Sequence, residues 1–147
     1  VNDVLSVLLA GLLAAEVAFL ANRTLLAGLA ERAPASPDTA PVRPGALLIS
    51  AVPAVEEAAK NLVALLSGAD LLGTHVVFGL VEAGFEAVVG EWRGLLAGLA
   101  GLVGHAFFGA ATQAALHETG SPFLATGAGL GLHIAWNALA LRLGRKG

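Results

Sequence analysis

The chain has 147 residues, of which 56% are hydrophobic and only 13% charged, with a mean hydropathy of +0.79. That balance belongs to a membrane protein rather than to a water-soluble domain. A net charge of −3 without a Lys/Arg patch argues against a nucleic-acid surface, and the absence of cysteine excludes disulfides, thiolate ligands and a cysteine nucleophile.

Residues 4–21 form a first apolar segment whose helix can continue through Leu29, so residues 1–30 read as the first span. It lacks a basic leading region and Glu16 interrupts its apolar run, which favours a span over a cleaved signal peptide. Residues 31–44 carry Pro34, Pro37, Pro41 and Pro44 among polar residues, a composition no helix crosses, and read as a cytoplasmic loop. Four further segments follow at residues 45–67, 71–90, 94–116 and 123–143. Each has about 20 residues, enough to cross a hydrocarbon core about 30 Å thick. Short breaks between them imply antiparallel neighbours in one bundle. The expected fold is therefore all-α, a single polytopic transmembrane domain of about five spans, with residues 45–143 as a four-helix core. Gly94, Gly98 and Gly101, and Gly127, Gly129 and Gly131, fit close helix contacts. Placing the C-terminus with Arg142, Arg145 and Lys146 in the cytoplasm puts every Lys and Arg except Lys60 on that side, as the positive-inside rule asks, and a cell membrane is the expected location.

Lys60 needs another explanation, and so do its neighbours. Residues 51–60 place Glu56, Glu57 and Lys60 in the middle of a span. On the insertion scale a central charged residue costs about 2.5 to 3.5 kcal/mol while each Leu returns only about 0.3 to 0.6, so these groups require polar partners on other helices. Glu56, Glu82 and His105 each lie 11 residues into their segments and His133 lies 10 into its own, which places all four about 15 to 17 Å deep, near the midplane. Glu57, Lys60, Glu86 and Asn137 sit beside them or one helical turn away. Pro53 cannot donate to the carbonyl of Ile49 and is expected to open the helix beside Glu56. His75 and His117 lie near segment ends and receive no role; Glu16 and Gln113 have no evident one.

No His-Glu-x-x-His zinc motif or Gly-x-Ser-x-Gly elbow is present. A carboxylate held in a low-dielectric site becomes a stronger base and can activate water, while His and Asn on a facing helix can donate to a developing oxyanion. This set is suited to hydrolysis without a metal, cofactor or covalent intermediate.

Glu56-Glu57-Ala58-Ala59-Lys60 resembles the EExxK motif of the PrsW-like intramembrane proteases, relatives of the CAAX prenyl proteases and ABI proteins, and Phe78 through Glu86 resembles their FxxxExxxE motif. His105 and the run His133-Ile134-Ala135-Trp136-Asn137 are similar to their third and fourth motifs. The resemblance implies a glutamate-type endopeptidase acting on a membrane-anchored protein or peptide within the lipid bilayer. It implies that Glu56, with Glu57 as alternative or helper, activates water shared by Glu82. It also implies that His133 and Asn137 polarise the scissile carbonyl and that Lys60 orients the acids, with Glu86 and His105 in support. Two other functions fit the same residues: a proton- or divalent-cation-binding transporter, and a silent membrane scaffold.

Overall fold

In the computed structural model, which describes residues 3–31 and 44–144, the chain forms five α-helices: α1 (Val4–Glu31), α2 (Pro44–Ser67), α3 (Leu71–Val89), α4 (Glu91–Thr119) and α5 (Pro122–Gly144). Four of them, all but α2, are long and apolar enough to cross a membrane. α2 is 24 residues long but carries Glu56, Glu57 and Lys60 within its last 12 residues, and these charges set it apart from the other four. The expected all-α membrane bundle is the observed architecture. The expected loop lies outside the described residues, apart from Glu31 and Pro44, which end α1 and begin α2.

The packing is that of a membrane bundle, with small residues inside and large apolar ones outside. Among the described residues of α1 the buried ones are Gly11 and Ala10, Ala14 and Ala18, the alanines spaced by four, while Leu5, Leu9 and Leu13 are exposed. Ala14 and Ala18 meet Ala59 of α2 and Phe78 of α3. Val88, Val103, Phe107 and Phe123 similarly face outward, an amount of exposed apolar surface that suits lipid rather than water. Because lipid is as apolar as leucine, close backbone approach and polar contacts hold such helices together. Gly98 shows the close approach: a Cβ there would lie 2.8 Å from Ala83 Cα. Of the other glycines expected at contacts, Gly94 meets the α3 backbone and Gly129 faces Glu57, whereas Gly127 and Gly131 have no neighbour within 4 Å of a Cβ position.

The turns are tighter than the composition suggests. Residues 91–93 and 117–119, expected as breaks, are the first and last turns of α4. Only Gly90 separates α3 from α4, and Gly120, left-handed at φ 64°, ends α4. Asp70 caps α3 by accepting from the Gly73 N–H at 2.7 Å, and Gln113 of α4 accepts from the Leu72 N–H at 3.1 Å, which gives Gln113 a role. α1 packs on α2 and α3, α3 on α4, α4 on α5, and α2 on α3 and α5; the backbones of α2 and α4 do not approach one another. Polar side chains fill the space between them.

Candidate active site

Glu57 and Lys60, one turn apart on α2, are both fully buried, and the Lys60 Nζ donates to Glu57 Oε1 at 2.5 Å. Nζ also lies 3.1 Å from Nδ1 of His105 on α4 and 4.6 Å from the centre of the Phe78 ring on α3. An ammonium has three donors and no acceptor, so these three partners account for all of its protons. They also set the tautomer of His105. Its Nδ1 accepts from Lys60, and its Nε2–H donates to Glu82 Oε2 at 2.5 Å.

His133 on α5 is oriented in the same way by Glu57. Its Nδ1 lies 2.9 Å from Glu57 Oε1, and because a carboxylate only accepts, the proton sits on Nδ1. Nε2 is then directed at Glu56 Oε2, 3.7 Å away, a gap suited to a bridging water. Phe108 stacks on His133 at 4.7 Å and meets His105 edge-on at 5.8 Å, so the two imidazoles are clamped by packing as well as by hydrogen bonds.

Glu56 and Glu57 are adjacent in sequence but about 100° apart around the helix, and their surroundings differ. Glu57 lines neither of the two cavities beside the cluster, whereas Glu56 lines both. The first cavity, about 640 Å³, is bounded by Glu56, Glu82, His105, His133, Trp136 and Asn137, among others. It extends past Gly98 of α4 and Leu143 of α5, toward the end of the bundle that carries Arg93 and Arg142. The second, about 540 Å³, lies between α1, α2 and α3 and is lined by Glu16, Asn22, Phe78 and Phe85 as well as Glu56 and Glu82.

Six of the eight residues singled out in the sequence, Glu56, Glu57, Lys60, Glu82, His105 and His133, thus form one cluster drawn from four helices, buried except at the partly exposed Glu82. Asn137 and Glu86 line the first cavity one turn beyond His133 and Glu82, with Glu86 exposed outside the hydrogen-bonded set. Other polar members were not foreseen. His75 is fully buried, with Nε2 3.0 Å from Asn61 Oδ1 and 3.8 Å from Glu57 Oε2. Asn61 in turn donates to Thr126 Oγ1 of α5 at 3.1 Å. Asn61 follows Glu57 by four residues, and that spacing was the available signal. On α1, Asn22 donates from Nδ2 to Glu56 Oε1 at 3.5 Å. It lies just past the first apolar run, in the stretch through which the helix was expected to continue and which α1 does span, and the sequence alone gives it no role.

Glu56, His105 and His133 each offer a metal-ligand atom within 4.8 Å of the others. Both ring nitrogens of His105 are engaged, however, one of them by a buried ammonium at 3.1 Å. A dication would have to displace the Glu82 hydrogen bond and sit close to Lys60. Among known proteins, no family model, no curated protein and no solved structure matches this chain.

Proposed function

We propose that the protein is an intramembrane hydrolase in which Glu56 activates water to cleave a membrane-anchored peptide, as the resemblance to the PrsW-like proteases implies. The observation that carries this reading is the position of the Glu56 carboxylate. It lies where two cavities meet, 3.7 Å from Nε2 of the imidazole that Glu57 holds in place through Nδ1. In the reaction, water bridging Glu56 Oε2 and His133 Nε2 adds its oxygen to the peptide carbonyl and gives one proton to Glu56. The carbonyl oxygen takes the negative charge. On collapse the C–N bond breaks and Glu56 returns the proton to the departing nitrogen, leaving an acid and an amine. The Nδ1–H of His133 is committed to Glu57, so in the neutral ring Nε2 is an acceptor. On this reading His133 holds the water, and the donor to the oxyanion is assigned to Asn137, which lines the same cavity. Glu57 and Lys60 are positioning residues. With the Arg93 and Arg142 end cytoplasmic, the first cavity admits its substrate from that side.

One observation favours a second reading, a divalent-cation site in a transporter: the ligand atoms of Glu56, His105 and His133 converge. Cleavage of membrane-anchored peptides by the reconstituted protein, with and without chelator, distinguishes the two. Glu56→Gln should lower kcat by about 10² to 10⁴ with the fold retained, and chelation should leave the wild type active. Undiminished turnover in Glu56→Gln, or activity abolished by chelation and restored by zinc, would refute the glutamate mechanism.

A further inference from the structure

Glu56 can present Oε2 to His133 only if its carboxylate is held in one orientation, and α2 alone does not hold it. The tether comes from α1, where Asn22 Nδ2 reaches Glu56 Oε1 at 3.5 Å. With Oε1 engaged there, Oε2 is directed at His133 Nε2 on the other side, 3.7 Å away. Because Nδ2 is the donor to Glu56, Asn22 Oδ1 is fixed as the remaining acceptor. It is buried without a protein partner in a residue that lines the cavity between α1 and α3.

We propose that Asn22 is a positioning residue for Glu56, fixing the carboxylate for attack through its Nδ2, so that α1 belongs to the catalytic unit rather than serving only as an anchor. This rests on the hydrolase reading of Glu56. The surrounding contacts support a specific role over general packing. Among the described residues the backbone of α1 approaches neither α4 nor α5, and α1 meets α2 and α3 largely through Ala10, Gly11, Ala14 and Ala18. Asn22 is the only residue of α1 with a side-chain hydrogen bond to another helix among the described residues.

The test compares the reconstituted wild type with Asn22→Ala, Asn22→Asp and Glu56→Gln, scoring both peptide cleavage and structures in lipid nanodiscs at a resolution that shows waters. Asn22→Asp keeps the shape but replaces the donor by a carboxylate facing Glu56. Both Asn22 variants should therefore lose about 10- to 100-fold in kcat with KM little changed, the range expected for a hydrogen bond to a charged group. Full activity in the isosteric Asp variant would reduce Asn22 to packing and overturn the inference. The structures give a readout that does not depend on activity. Glu56 in Asn22→Ala should turn away from His133. A Glu56 carboxylate unmoved in the variant overturns the inference even if the enzyme is active. A wild type that cleaves no peptide, with Glu56 turned away in Asn22→Ala, overturns the hydrolase reading and leaves the tether standing.

Discussion

Lys60→Met tests the centre of the cluster, because methionine fills much of the lysine's volume while removing its charge and all three donors. Lys60 is fully buried, and its Nζ serves Glu57 Oε1 at 2.5 Å, His105 Nδ1 at 3.1 Å and the face of Phe78 at 4.6 Å. After the substitution Glu57 keeps only the His133 hydrogen bond for a carboxylate whose other oxygen, Oε2, is already unpaired. Removing one partner of a buried ion pair costs about 3 to 5 kcal/mol, because the remaining charge stays buried without compensation. Loss of the cation–π contact adds about 0.5 to 2 kcal/mol. Against a typical stability of about 5 to 15 kcal/mol, the variant should be marginal. The same reasoning makes a second, opposing prediction. Adding Glu57→Gln removes the uncompensated charge, so the double variant should be more stable than Lys60→Met alone, although it carries one more substitution. Reversible unfolding in mixed micelles, followed through Trp136 and Trp92, measures both. A Lys60→Met variant within about 1 kcal/mol of wild type would place the pair among weak, solvated ion pairs and refute the reasoning, as would a double variant no more stable than the single one.

His75→Leu should cost about 1 to 3 kcal/mol by leaving Asn61 Oδ1 buried without its donor, and adding Asn61→Leu should recover part of that loss in the same unfolding assay. Gly98→Val should destabilise by about 1 to 3 kcal/mol and slow turnover, since a Cβ there meets backbone, 2.8 Å from Ala83 Cα and 2.9 Å from its carbonyl oxygen, and can be relieved only by parting α3 from α4. Gly127→Ala, with nothing within 4 Å, is the matched control and should be neutral or stabilising by up to about 1 kcal/mol.

The amino-acid sequence determined the class of fold and the membership of most of the cluster. Apolar stretches of membrane-spanning length dictate helices, and charged groups that no bilayer tolerates alone must meet one another, so Glu56, Glu82, His105 and His133 at a common depth were readable as one site. His75 escaped because depth was judged by its distance from a segment end, while Asp70 and Gln113 cap α3 so that its fifth residue is already inside the bundle. Asn22 escaped because a single amide just past an apolar run shows no partner locally, and the one it meets, Glu56, is 34 residues away on another helix. What only the tertiary structure decided is the division of labour between neighbours. Glu56 and Glu57 share a peptide bond and a chemistry, and nothing local separates them. The rotation of α2 about its own axis, set by Ala59 packing on α1 and by Lys60 reaching His105, turns one carboxylate into the cavities and buries the other against His133. A step of about 100° between successive residues is enough to make one the candidate base and the other its support.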